Sequence, residues 1–174
     1  MEVRAQAGWR KLLRRWVSPW LRPVLVYCDG SAHDAPGLPG GWAFLVVQGD
    51  REQLRGSGGA KLATSTEMEL RAALEGLRAL GARGLAAFRS VELVSDCRLT
   101  VDVARSAPLP QRERDLAVEL RDACQKLDVR ARWIRGHSGE VWNERVDALA
   151  REAKQALVPE RVKRKQRQRQ AQRR

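Results

Sequence analysis

Two aspartates, each at the end of a hydrophobic run, are the residues of this chain best placed to do chemistry. Residues 24–28 are mainly apolar and lead directly into Asp29, and residues 91–95 lead in the same way into Asp96. Apolar residues on both faces are typical of a central strand that is covered on two sides. If the two strands are parallel neighbours, their ends lie within about 5 Å of each other. A single aspartate is more often a helix cap or a solvated charge, so it is the pair that predicts a site.

Crowded carboxylates at such an edge predict bound metal ions. They repel one another and raise one another's pKa. Divalent cations remove this repulsion, and ligation by oxygen alone suits Mg²⁺ or Mn²⁺. Two such ions about 4 Å apart can activate a water molecule and stabilise the leaving oxygen in phosphodiester hydrolysis.

The predicted elements place both aspartates at one edge of a mixed sheet. A long helix begins at the Thr64-Ser65-Thr66 caps and ends near Gly81. The predicted strands cover residues 24–29, 41–48, 52–59, 90–95 and 129–134, and the later helices cover residues 99–104, 112–127 and 141–157. The first three strands form an antiparallel meander, and strand-helix-strand crossovers make the first, fourth and fifth strands parallel. The fold class is therefore α/β, with a mixed five-stranded sheet and helices on both faces.

Positive charge is concentrated at the two ends of the chain. Of the net charge of +12, residues 1–22 contribute +5 and residues 159–174 contribute +7, which leaves the body between them neutral. Cationic arms imply a polyanionic partner, which is nucleic acid or, less often, an anionic membrane. We expect a basic amphipathic extension over residues 1–22, one domain over residues 23–157, and a basic, disordered tail over residues 158–174.

The N-terminal extension carries three tryptophans on one helical stripe. Trp9, Trp16 and Trp20 share this stripe with leucine and valine, while arginine and lysine fill the opposite side. Such a helix could lie on a membrane surface, contact nucleic acid, or pack on the domain as an added helix. The sequence leaves these alternatives open.

Cysteine usage and hydropathy favour a reducing compartment. Cys28, Cys97 and Cys124 form neither a CxxC pair nor an even disulfide framework. No apolar run reaches the roughly 20 residues of a membrane span. The N-terminus also lacks the apolar core and cleavage site of a secretory signal. We therefore expect a cytoplasmic, monomeric protein without a transmembrane segment.

Four segments of the chain resemble the type 1 ribonuclease H family over residues 23–157. The matching segments are Tyr27-Cys-Asp-Gly-Ser31, Thr66-Glu-Met-Glu-Leu70, Leu93-Val-Ser-Asp96, and Trp133-Ile-Arg-Gly-His-Ser-Gly139 followed by Asn143-Glu-Arg-Val-Asp-Ala-Leu-Ala150. One motif would be a weak signal, but four in order, each on the expected element, are a strong one. The resemblance implies a ribonuclease H-like fold and a metal-dependent endonuclease that cuts the RNA strand of RNA–DNA hybrids. It implies 5′-phosphate and 3′-hydroxyl products and two Mg²⁺ ions, with Mn²⁺ as the alternative.

The resemblance also assigns roles to individual residues. The implied metal-binding carboxylates are Asp29, Glu69, Asp96 and Asp147. His137 matches the family histidine that assists proton transfer and product release, which suits an imidazole at neutral pH. The implied substrate-binding residues are Gly30, Ser31, Thr64, Ser65, Thr66, Arg98 and Asn143. We assign Trp133, on the fifth strand, to the core.

The chain departs from the family pattern in three places. Thr64-Ser65-Thr66 stands where bacterial members often have paired asparagines, and Arg98 stands where glutamine is common. Residues 106–111 form a short proline-containing link where many members have a basic protrusion. We therefore expect the basic termini to contact the phosphates of the hybrid instead.

Two alternatives share the same fold. A non-catalytic nucleic-acid-binding module would have lost one or more of the carboxylates, and none is lost. A retroelement-derived nuclease domain is compatible with the Thr64-Ser65 dipeptide and the missing protrusion.

Overall fold

The computed structural model describes residues 22–33, 38–85 and 90–158. The strands are β1 (Val24–Ser31), β2 (Gly40–Gln48), β3 (Arg51–Ala60), β4 (Val91–Ser95) and β5 (Val129–Trp133). The helices are α1 (Ser65–Ala82), α2 (Arg98–Ala104), α3 (Arg114–Lys126) and α4 (Val141–Leu157). The tryptophan-rich stripe and nearly all of the basic tail lie outside the described residues, so the predicted domain boundaries stay predictions.

A five-stranded sheet in the order β3-β2-β1-β4-β5 organises the described residues. The β1–β2 and β2–β3 pairs are antiparallel, whereas the β1–β4 and β4–β5 pairs are parallel. Strands β1 and β2 are buried along most of their length because helices cover both of their faces, whereas the edge strand β3 alternates between exposed and half-buried residues. This arrangement confirms the predicted α/β class and the mixed sheet.

Helices α1, α2 and α3 cover one face of the sheet and bury the larger core. The α1 helix begins at Thr64, whose hydroxyl accepts a hydrogen bond from the Glu67 N–H at 3.0 Å. Its helically spaced apolar residues all pack against this face: Leu70, Ala73, Leu74, Leu77 and Leu80. Cys28 points the same way and is fully buried, and burial raises the pKa of its thiol well above the ordinary value. Cys28 is therefore a packing residue of this core.

Helix α4 covers the opposite face with a smaller core. Val146 and Ala150 pack there on Tyr27 and on apolar residues of β2 and β4. A Cβ atom added to Gly41 would lie 2.3 Å from the Ala150 carbonyl oxygen. The bare glycine in β2 therefore lets α4 lie unusually close to the sheet.

Two local predictions were wrong. Trp133 is half-buried rather than in the core, because its indole N–H donates to the Asp96 carbonyl oxygen at 2.8 Å and the ring stays at the rim. Helix α3 begins at Arg114 rather than at residue 112, because Glu113 has a left-handed backbone (φ 52°) that a helix cannot include. Among the described helices, none has the length and apolarity that crossing a bilayer requires.

Candidate active site

Three carboxylates meet where β1 and β4 end. One ligand atom each from Asp29, Glu69 and Asp96 lies within 4.8 Å of the other two. The parallel register pairs Tyr27 with Val94, so the two aspartates, each two residues further on, lie at the same level of the sheet. Glu69 reaches them from the start of α1.

Gly30 makes this meeting sterically feasible. A Cβ atom at Gly30 would lie 2.3 Å from the Glu69 backbone nitrogen, so any larger residue would push α1 away from β1. The polar backbone of Gly30 also acts to lower the pKa of Asp29 and of Glu69, against the burial that raises both. Gly30 thus has a packing role beside the carboxylates, and its contact with a substrate stays a prediction.

The electrostatics of the three carboxylates fit a divalent cation. Burial, followed by the charges of Asp96 and Asp147, raises the pKa of Asp29 to about 7. Burial and the charges of Asp29 and Asp96 likewise raise the pKa of Glu69 well above its usual range. The Oε2 atom of Glu69 is buried and has no hydrogen-bond partner. Crowded carboxylate oxygens, one of them buried without a hydrogen-bond partner, are the kind of donor set that Mg²⁺ or Mn²⁺ prefers.

Asp147, the fourth predicted carboxylate, lies beside these three rather than among them. Its charge raises the pKa of both Asp29 and Glu69, so it is within electrostatic reach. Its own Oδ2 atom pairs with the Arg151 guanidinium at 2.6 Å and lies 3.9 Å from His137 Nδ1. A second group of close ligand atoms therefore adjoins the first, and its members are His137, Glu144 and Asp147.

His137 lies in an exposed loop, and a hydrogen bond holds the end of this loop against β1. Its backbone is left-handed (φ 49°), its side chain is 76% exposed, and its Nδ1 atom lies 3.8 Å from Glu144 Oε2. At the end of the loop, the Tyr27 hydroxyl donates to Glu140 Oε1 at 3.0 Å. Burial and the hydrogen bond to Glu140 raise the pKa of Tyr27 to about 12, so Tyr27 remains a donor at neutral pH.

Asp96 is held from several sides. The Asn143 side-chain amide donates to Asp96 Oδ2 at 3.1 Å, and Trp133 donates to the Asp96 carbonyl oxygen. A Cβ atom at Gly136 would lie 2.8 Å from Asp96 Oδ2, so a larger residue there would force the carboxylate to shift. Asn143, predicted to bind substrate, is 2% exposed. This burial favours a role in orienting Asp96 over direct contact with a substrate.

The remaining predicted substrate-binding residues lie at the surface. Thr64 is exposed, and its hydroxyl donates to Glu113 Oε1 at 2.8 Å while it caps α1. Ser65 is exposed, and Thr66 and Ser31 are half-buried. Arg98 is exposed and lies over the Trp133 ring, 4.0 Å from its centroid. Their contacts with a substrate stay predictions.

Sequence reasoning missed several residues at this edge. Arg151 follows Asp147 by four residues, and this helical spacing is a signal that the sequence does contain. Glu144 likewise precedes Asp147 by less than one turn. Glu113 and Glu140 had no such signal, because their contacts with Thr64 and Tyr27 join residues 49 and 113 positions apart.

Comparison with known proteins identifies the family. The profile of the RNase H family matches residues 22–155, most of the chain. This chain belongs to the ribonuclease H family. The curated Ribonuclease H of Trichodesmium erythraeum is 34% identical over 148 residues, which is 77% of this chain and 90% of that protein. Family membership confirms the resemblance that the four sequence motifs predicted.

Solved structures share the fold of this ribonuclease H. The RNase H1 of the halophilic archaeon Halobacterium salinarum superposes with a TM-score of 0.62 at 27% identity, covering 75% of this chain and 96% of that one. LC11-RNase H1, solved in complex with an RNA/DNA hybrid, gives a TM-score of 0.65 at 19% identity, covering 76% and 97%. Because LC11-RNase H1 is only 19% identical to this chain, its similarity shows a shared fold alone.

Proposed function

We propose that this ribonuclease H hydrolyses the RNA strand of RNA–DNA hybrids with divalent ions that Asp29, Glu69 and Asp96 hold and that Asp147 helps to hold. The observation that carries the proposal is the meeting of the first three carboxylates within 4.8 Å at a sheet edge. Family membership supplies the reaction and the substrate class. All four carboxylates are present, which opposes a purely binding module.

The chain's own residues prepare the site for the ions. When bound, the ions supply positive charge that polarises the scissile phosphate and lowers the pKa of a coordinated water. Asn143 orients the Asp96 carboxylate, and Gly136 leaves space beside it. Gly30 keeps Glu69 close to Asp29, so that the ligand atoms are in position before a substrate arrives.

His137 is suited to move protons at this edge. Its exposed imidazole lies next to Asp147 and Glu144, and the left-handed turn of its loop presents it to solvent. An imidazole can accept and return a proton near neutral pH. We assign to His137 the transfer of a proton during hydrolysis and product release.

The basic ends of the chain, residues 1–22 and 159–174, supply contacts with phosphate in this proposal. Their charges of +5 and +7 flank a neutral body, and neutralising phosphates with lysine and arginine is the usual source of nucleic-acid affinity. Hydroxyl groups at the start of α1 and Arg98 lie at the surface of the domain and are candidates for further contacts.

Cleavage of a strand-labelled RNA–DNA hybrid tests the proposed function. Wild type, Asp29→Asn and Asp50→Asn are compared with Mg²⁺, Mn²⁺ or EDTA, and double-stranded RNA and double-stranded DNA serve as other substrates. Asp50 is exposed at the β2–β3 turn, so its variant controls for the loss of one carboxylate. We expect metal-dependent cleavage of the RNA strand alone, at least about 100-fold slower in Asp29→Asn. Tight hybrid binding without cleavage under either metal would instead favour a binding module.

A further inference from the structure

Arg151 brings a fixed positive charge to the edge where the carboxylates meet. Its Nη2 atom lies 2.6 Å from Asp147 Oδ2, one helical turn away on α4. The same guanidinium lowers the pKa of Asp29, against the burial and neighbouring charges that raise it. Arg151 therefore acts electrostatically on carboxylates of two elements, α4 and β1.

The ion pair joins a solvent-facing cation to a largely buried anion. The Arg151 side chain is 54% exposed, whereas that of Asp147 is 15% exposed. An exposed guanidinium can swing away into water at little cost, whereas the Asp147 carboxylate cannot follow it. The pair is thus built so that another cation can replace Arg151 at Asp147.

We propose that Arg151 is the resident counter-ion of Asp147 in the metal-free site and competes with divalent ions for that carboxylate. This inference rests on the proposed metal-dependent function. A bound dication near Asp147 repels the guanidinium, and a guanidinium at 2.6 Å occupies an oxygen that the ion would use. Arg151 therefore weakens metal binding and sets the metal concentration at which the site fills.

A role for Arg151 in orienting Asp147 predicts the opposite change in metal affinity. If Arg151 only oriented Asp147 for the metal, its removal would leave the carboxylate less well placed and weaken metal binding. If Arg151 competes with the metal, its removal leaves more negative charge at the site and tightens binding. The direction of the change in metal affinity therefore separates competition from orientation.

Binding of Mn²⁺ to the full chain tests the inference, with free Mn²⁺ followed by electron paramagnetic resonance. We expect Arg151→Gln to bind Mn²⁺ about five- to tenfold more tightly than wild type, and less so at high ionic strength. Arg151→Lys keeps the positive charge that repels a dication, so its Mn²⁺ affinity should remain within about twofold of wild type. Arg78→Gln is the matched control, because Arg78 pairs with Glu75 and Glu119 on α1 and α3.

Thermal unfolding gives a readout that is independent of catalysis. Without metal, Arg151→Gln should unfold at a slightly lower temperature than wild type, because Asp147 has lost its partner. Saturating Mn²⁺ should then raise its midpoint by more than it raises that of wild type. Unchanged or weaker Mn²⁺ binding by Arg151→Gln overturns the inference.

Asp29→Asn separates failure of the counter-ion inference from failure of the metal site. If wild type binds Mn²⁺ and Asp29→Asn does not, the metal site stands and the Arg151 variants alone decide the inference. If wild type binds no Mn²⁺, or if Asp29→Asn binds it as well as wild type does, both proposals fall.

Discussion

Within the described part of the chain, three helices cover one face of the sheet, and a single helix covers the other. Among residues 22–33, 38–85 and 90–158, the face under α1, α2 and α3 holds 18 buried core residues, against seven on the α4 face. Asp29 alternates with Cys28 and therefore lies on the α4 side, where Asp147 and Arg151 act on it. The larger core supplies most of the apolar stabilisation, and this leaves the thinner face able to hold buried charges that oppose folding.

Leu77→Ala breaks the larger core and should have the largest effect on stability. Leu77 is 1% exposed, so its truncation should lower the free energy of unfolding by about 2–5 kcal/mol. Activity per folded molecule should stay near that of wild type, because no carboxylate moves. Chemical denaturation and the kcat for hybrid cleavage measure the two effects.

Leu77→Met is the control, since it conserves volume and should cost less than about 1.5 kcal/mol. A fall in kcat of Leu77→Ala in step with its stability would contradict the division of roles between the two faces.

Gly41→Ala tests the face that α4 covers. Compared with Leu77→Ala, it should lose less stability and more activity. The new Cβ would lie 2.3 Å from backbone atoms of Ala150 and Lys154, so α4 must move away from the sheet. We expect a cost of about 1–3 kcal/mol. We also expect kcat to fall roughly 10- to 100-fold, because Asp147 and Asn143 move with the helix.

Gly81→Ala is the control for the Gly41 variant. Gly81 lies in α1, and a Cβ atom there would meet nothing within 4 Å. The protein should become slightly more stable, by up to about 1 kcal/mol, with unchanged kcat. A Gly41→Ala variant that keeps wild-type kcat would show that the position of α4 does not control the site.

Local patterns in the sequence predicted most of the fold. Apolar runs rich in Val and Leu gave β1, β2 and β4, Thr64 gave the start of α1, and the crossover rule gave the parallel pairs that bring Asp29 and Asp96 together. The family motifs then indicated Glu69. The observed strands and helices begin and end within about two residues of the predicted ones.

Side-chain directions at the site could not be predicted in the same way. They depend on close approaches between distant segments, such as Gly30 against Glu69 and Gly136 against Asp96. The burial of Asn143 follows from how α4 packs on the sheet, whereas the pairing of Asp147 with Arg151 is a local contact that the helical spacing does indicate. Helical periodicity gives the buried face of a helix, but not its depth or rotation against a twisted sheet.

The crowding of carboxylates also gives stability a defined pH dependence without metal. The pKa of Asp29 is about 7 in the folded protein and close to its ordinary 3.8 in the unfolded chain. Between these values the folded state binds more protons, so the contribution of Asp29 to the free energy of unfolding falls as pH rises from about 4 to about 7 and is level above that. The raised pKa of Glu69 acts in the same direction.

The most direct test of this account is the free energy of unfolding of Asp29→Asn at pH 8, beside wild type and Asp50→Asn. In EDTA we expect Asp29→Asn to be more stable than wild type by about 1–2 kcal/mol, because the substitution removes a buried, repelled charge. Mg²⁺ or Mn²⁺ should stabilise wild type and Asp50→Asn but not Asp29→Asn. The account would be contradicted by an Asp29→Asn variant that is less stable than wild type in EDTA, or that metal stabilises as much as wild type. Either result would show that crowding of the carboxylates does not lower the free energy of unfolding in a way that a bound cation reverses.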